Sequence, residues 1–268
     1  MSARLVVAPQ PNDSFKTKAT RLMLLAVMAC AGLTPQAKAQ TVVLGSAANF
    51  AVLASSGITN VGVMTISGDI GSKPTATIDG AGSFNFVSGA NHGNDTFTQN
   101  AQTAAAAAYT DAAGRTGTPV GTELGGTSPA PGVYSAGTFD LTGILTLNAA
   151  GNSSAVWIFQ TPATLTTAAL SQITLLNGAQ AANVFWQVGS SATLSGTNFS
   201  GSILANASIT LTSGVLVDGQ LLALGAHVTL DSDSITVQTA IPEPATSALI
   251  AAVGTLGLAF WRRRRMAG

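Results

Sequence analysis

Cysteine is almost absent. The 268-residue chain has one, Cys30, inside an N-terminal apolar stretch. The rest of the chain can form neither a disulfide nor a thiolate metal site, so its stability must come from packing and hydrogen bonding. Charge is scarce too: Asp, Glu, Lys and Arg make up 8% of residues, where about a quarter is usual for a soluble domain. Between residues 40 and 240 the only cations are Lys73 and Arg115. They face nine acids: Asp69, Asp79, Asp95, Asp111, Glu123, Asp140, Asp218, Asp231 and Asp233. The formal neutrality of the whole chain therefore hides a segment of net charge −7. Such a segment cannot neutralise a phosphate backbone, which excludes nucleic acid as a partner. His92 and His227 are the only histidines, and neither has a His or Cys neighbour at metal-ligand spacing, so no metal or cofactor is expected. There is no G-x-S-x-G elbow, no phosphate-binding loop and no dinucleotide-binding glycine pattern.

The two ends carry their own signals. Arg4, Lys16, Lys18 and Arg21 precede an apolar run from Leu22 to Leu33, followed by Pro35 and Ala37-Lys38-Ala39. A basic segment, a short apolar core and an A-x-A site read as a secretory signal peptide over residues 1–39, cleaved after Ala39. Val27-Met28-Ala29-Cys30 is a fainter, lipoprotein-like alternative. At the other end, Ile241-Pro242-Glu243-Pro244 leads into an apolar run from Ala245 to Trp261 and then Arg262, Arg263, Arg264 and Arg265. That run is near the lower limit for a membrane helix, about 17–25 residues, and the arginines hold its far end in the cytoplasm. This tail, residues 241–268, resembles the PEP-CTERM sorting signal, with Pro242, Glu243 and Pro244 as its motif. The resemblance implies an exosortase-type processing enzyme as partner, a transient membrane anchor, and the surface of a Gram-negative, exopolysaccharide-producing bacterium.

Residues 40–240 read as one domain whose C-terminal half repeats. Segments starting at Val184, Ser202 and Gln220 stand 18 residues apart, with an earlier copy at Val156 and a degenerate one at Leu141. Each has an apolar strand, a small-residue corner and a Thr-Leu strand: Thr164-Leu165, Thr193-Leu194, Thr210-Leu211, Thr229-Leu230. The extra length before the second copy falls around Asn177-Gly178-Ala179-Gln180. Short β-branched segments bounded by Gly, Asn, Ser and Asp are strands and tight turns. A period near 18 suits one turn of a triangular β-solenoid, with coils about 4.7–4.9 Å apart. Alternation then points the leucines inward and the threonines outward. Thr164, Thr193, Thr210 and Thr229 are expected in one row, and Thr166, Ser195, Thr212 and Asp231 in a parallel one. Phe97 to Ala113 breaks the pattern. Its alanine run, with Asn94 or Asp95 as N-cap and Gly114 as stop, predicts a helix with Phe97, Ala101, Ala104, Ala105, Ala108 and Ala112 on its packing face.

A family resemblance covers residues 41–238. It rests on Leu44-Gly45-Ser46-Ala47-Ala48-Asn49-Phe50, Gly57-Ile58-Thr59-Asn60, Ile66-Ser67-Gly68-Asp69-Ile70-Gly71, Pro131-Gly132-Val133-Tyr134, Trp157-Ile158-Phe159-Gln160, and Asn177-Gly178-Ala179-Gln180 followed by Val184-Phe185-Trp186-Gln187-Val188. In number and order these motifs resemble the secreted ice-binding β-solenoid family. The resemblance implies a mainly β fold: a discontinuous right-handed triangular β-solenoid, one long helix alongside, N-terminal and C-terminal strands side by side, and an ice crystal surface as ligand. A rigid array of hydroxyls and methyls about 4.8 Å by 6.6–6.8 Å apart can order water, and threonine pre-organises it through its restricted rotamers. The candidate face is Thr164, Thr166, Ser191, Thr193, Ser208, Thr210, Thr212 and Thr229. The plain alternative is an ordinary exposed ladder, because threonine is common on solvent-facing strands. A competing face is the preceding strand of each coil, ending near Leu53, Gly189, Ala207 and Gly225. His227 and Asp231 interrupt the pattern on the last coil. Asp231-Ser232-Asp233-Ser234 lacks the remaining ligands of a calcium loop and reads as a capping turn. Trp157 and Trp186 sit among apolar neighbours and read as core, not as sugar platforms. Dispersed aspartates and two cations do not suit a polysaccharide-cleaving solenoid, so the chain is expected to be no enzyme. The second functional reading is adhesion to a matrix polysaccharide.

Overall fold

The computed structural model describes residues 39–80, 83–196 and 198–238. The signal segment before Ala39 and the sorting tail, with Pro242, Glu243, Pro244 and the apolar run, lie outside the described residues. Among those described, no helix is long and apolar enough to cross a membrane.

The described chain is mainly β with one long helix. Its strands form a 14-stranded and a 7-stranded sheet, both parallel. Pairing follows three ladders. The first holds Gly132–Ser135, Trp157–Thr161, Val184–Val188, the second halves of Asn198–Ala205 and Leu216–Ala223, then Phe50–Ala54 and Asp69–Ser72. The second holds Phe139–Leu141, Leu165–Thr167, Ala192–Leu194, Ile209–Leu211, Val228–Leu230, Ile58–Asn60 and Ile78–Asp79. The third holds Ile144–Asn148, Gln172–Leu176, the first halves of the two long strands, Ser234–Thr236, Met64–Ser67 and Phe84–Ser88. The coils are not stacked in chain order. Val228–Leu230, from the end of the domain, pairs with Ile58–Asn60 from its beginning.

The two long strands pass from the third ladder to the first at Gly201 (φ 112°) and Gly219 (φ 154°). These glycines are register partners, and a Cβ on Gly219 would stand 2.1 Å from the Gly201 carbonyl oxygen. Only glycine permits this corner.

Alternation fills the interior. Phe159, Trp186, Ile203, Leu221 and Val52 point in from the first ladder; Leu165, Ala192, Ile209, Val228 and Ile58 from the second; Ile173, Phe199, Val217, Ile235 and Ile66 from the third. Trp157 and Trp186 are fully buried, and Trp186 stacks on Phe159 at 4.3 Å between centroids. The tryptophans are core, as expected from their neighbours.

Register differs from the repeat alignment in two places. Ser202 faces Phe185, not Val184. Thr193 faces Thr166, not Thr164. The Thr-Leu match misled because Leu165 and Ala192 each follow the same three-residue corner, after Thr161 and Val188. Corner length, not the recurring dipeptide, sets the pairing. At Thr193 the slip is two residues, so it changes neighbours without turning a side chain over; at Ser202 it is one residue, so there the 18-residue alignment also mismatched inward and outward positions.

The helix spans Thr96–Ala113, and the Asp95 side chain accepts from the Thr98 amide at 2.9 Å as its N-cap. Ala101, Ala105, Ala108 and Ala112 are buried against the outward residues of the first ladder, among them Leu53, Ile158, Phe185, Leu204 and Leu222. Small alanines let the helix approach the flat sheet. Phe97, expected on this face, is 66% exposed; Thr98 is buried instead, its hydroxyl donating to the Gly93 carbonyl. Glutamines satisfy the polar groups that the helix and its flank trap. Gln160 donates to the Ala112 and Arg115 carbonyls at the helix end, and Gln220 to those of Ala47, Ala48 and Phe50.

Candidate binding face

The helix leaves the second ladder open. In each three-residue strand the outer two side chains are buried and the middle one faces out: Thr166 between Leu165 and Thr167, Thr193 between Ala192 and Leu194, Thr210 between Ile209 and Leu211, and Thr229 between Val228 and Leu230. The buried pairs, apolar but for Thr167, anchor each strand, so the outward threonine is held by the core beneath it.

The pairings place Thr166, Thr193, Thr210, Thr229 and Thr59 in one unbroken row. Four were sequence candidates. Thr59 was missed: it belongs to no 18-residue series, because its coil comes from the other end of the chain. Its signal was the Ile58-Thr59 pair, the same apolar-Thr step as Ile209-Thr210. The row ends in carboxylates, Asp140 beside Thr166 and Asp79 beside Thr59. A single backbone β-bridge pairs Glu123 with Asp140. Burial would raise the Glu123 carboxyl, but the amides of Thr142 and Gly125 and the Thr142 hydroxyl hold it below its ordinary value.

Thr164, Ser191 and Ser208 form the neighbouring row, one residue before each strand. The Ser191 and Ser208 hydroxyls stand 3.0 Å apart, and that of Thr164 lies 3.1 Å from Thr138. Beyond Ser208 this row meets His227 and then Gly57, whose carbonyls accept from the Ile209 and Val228 amides. Thr212, with Ser195 and Asp231, follows the strands on the opposite border. The expected rows therefore regroup: Thr166 joins Thr193, Thr210 and Thr229, while Thr164 joins the serines. Of the competing face, Leu53 lies under the helix, and Gly189 packs closely on the Pro162 backbone, where a Cβ would meet the carbonyl at 2.3 Å, while Gly225 is exposed.

At the corner between Val228–Leu230 and Ser234–Thr236, buried Asp233 accepts from the amides of Asp231 and Val215, each at 2.8 Å. Its oxygens staple a turn, and burial pushes its carboxyl up to about 6 against those hydrogen bonds.

Residues 52–236 match the family model described as ice-binding-like, and residues 240–265 match the PEP-CTERM protein-sorting motif. The chain belongs to the ice-binding-like family. It is 39% identical to an ice-binding protein of Nostoc sp. (strain HG1) over 91% of this chain and 95% of that protein. The crystal structure of an ice-binding protein from the Antarctic ascomycete Antarctomyces psychrotrophicus superposes with TM-score 0.71 at 38% identity, covering 75% of this chain and all of that one. An ice-binding protein from an Antarctic biological consortium gives TM-score 0.72 at 34% identity, covering 75% of this chain and 93% of that one. The ice-binding-like domain thus accounts for nearly all the described residues, and in the ascomycete relative the matching part is the whole chain.

Proposed function

We propose that this ice-binding-like protein binds ice, and that it does so through the second ladder, centred on Thr166, Thr193, Thr210, Thr229 and Thr59. The observation that carries the reading is that row: five threonines in register on consecutive coils, on a face that the helix does not cover among the described residues. Threonines about 4.8 Å apart along the row, each between two buried neighbours of its own strand, form a regular, pre-organised array. The flanking Thr164, Ser191, Ser208 and Thr212 widen it. No chemistry beyond surface adsorption is required, and the protein acts without catalysis.

The three ladders per turn support a triangular β-solenoid. Right-handed winding follows from the strong preference of parallel crossovers for that hand. The sorting motif at residues 240–265, with Arg262 to Arg265 behind an apolar run, supports export to the surface of a Gram-negative cell and a transient membrane anchor before exosortase-type processing.

The test is single ice crystals grown below their melting point in the presence of residues 40–240. Faceted crystals with a freezing gap are expected, and Thr193→Tyr with Thr210→Tyr abolishes both. Round crystals from a folded sample overturn ice binding. Faceting that survives the double substitution overturns the assignment of the face.

A further inference from the structure

Among the described residues the third ladder is the other uncovered face, and it differs from the threonine face. Its rows mix amides, hydroxyls and exposed leucine. Ser200, Asp218, Thr236 and Ser67 are successive register partners, as are Asn198, Leu216 and Ser234. Between them lies a groove of about 380 Å³, lined by Asn198, Ser200, Leu216, Asp218, Thr236 and Gln238. We propose that this groove binds a neutral polysaccharide chain, with Asp218 as the hydrogen-bond acceptor on its floor. This site is separate from the ice reading and does not depend on it.

Asp218 supplies the main argument. Its Oδ1 is buried and has no hydrogen-bond partner among the described residues. A buried carboxylate oxygen without a donor is costly, and burial raises the carboxyl despite the hydrogen bond from Gln238. The groove asks for a ligand that brings donors. No cation lines it; the described cations are Lys73 and Arg115, and neither borders the groove. A polyanion is disfavoured by the −7 charge of residues 40–240. Sugar hydroxyls are neutral and donate as well as accept. Asn198, Ser200, Thr236 and Gln238 offer both roles in return. Leu216, 53% exposed, gives an apolar step for the C–H face of a ring. The volume suits one or two sugar rings, and the run of coils lets a longer chain continue along the ladder at about 4.7–4.9 Å per coil.

The experiment is affinity electrophoresis of the full chain, extracted in a non-ionic detergent, through native gels cast with dextran, a galactomannan or a β-glucan, and with alginate as the polyanion. Retardation in at least one neutral gel is expected. Asp218→Ala should restore mobility, with at least a tenfold rise in the apparent dissociation constant. Asn198→Ala, at an exposed position that does not threaten folding, should weaken retardation by a smaller factor. Thr193→Tyr with Thr210→Tyr should leave it intact, which separates this site from the ice face. No retardation in any neutral gel overturns the proposal, as does retardation unchanged by both Asp218→Ala and Asn198→Ala, or retardation confined to alginate.

Discussion

The first and second ladders are built from the same coils by the same parallel pairing, yet their outer faces have opposite fates. On the first, Leu53, Ile158, Phe185, Leu204 and Leu222 point outward and are covered by the alanine helix. On the second, Thr59, Thr166, Thr193, Thr210 and Thr229 point outward and stay open. Backbone geometry is therefore not what makes a binding face here. Outward chemistry decides: leucine and phenylalanine recruit a cover, while threonine is polar enough to remain in water and regular enough to organise it.

Substitutions should divide along that line. Leu204→Ala, under the helix, is expected to cost about 2–5 kcal/mol in chemical denaturation, while ice activity per folded molecule is unchanged. Thr193→Tyr with Thr210→Tyr should do the reverse. Freezing-point hysteresis is lost, while stability moves by no more than about 1 kcal/mol, since surface changes usually stay within about 0.5 kcal/mol each. Equal damage of both kinds by both variants would erase the comparison.

A finer test uses the coil that holds Thr59. Thr59→Tyr should reduce hysteresis about as much as Thr229→Tyr, its register partner. Thr65→Tyr, on the third ladder of the same coil, should leave it unchanged. If Thr59→Tyr is silent, the binding row stops at Thr229. The smallest expected effect concerns pH. Asp233 holds its proton more tightly in the folded protein, near 6, than its ordinary 3.8. Between those values the folded state binds more protons than the unfolded one, so stability declines as pH rises from about 4 to about 6 and levels off above. Thermal melts across that range check the slope, and Asp233→Asn should flatten it.

Much of this was legible in the chain. The alanine run between Asp95 and Gly114 announced a helix whose start differs by one residue from that observed. The alternation in Thr-Leu strands correctly sent Leu165, Leu194, Leu211 and Leu230 inward. Phe97 was misplaced: in the helix's first turn it stands exposed, its ring 5.2 Å from that of His92, while Thr98 takes the buried position. Helical spacing alone does not report where the partner surface ends.

Side-chain direction, the helix and the β-strands themselves are local properties. They follow from period, propensity and capping, so the amino-acid sequence by itself determined them. Which threonine stands beside which is non-local. Thr166 faces Thr193 because two corners have equal length, and Thr59 completes the row because the first coil stacks on the last. Those neighbours are set by loop closure and by burial of the shared core, which exist only once the coils have met. The tertiary structure alone made a row of five out of residues from both ends of the domain.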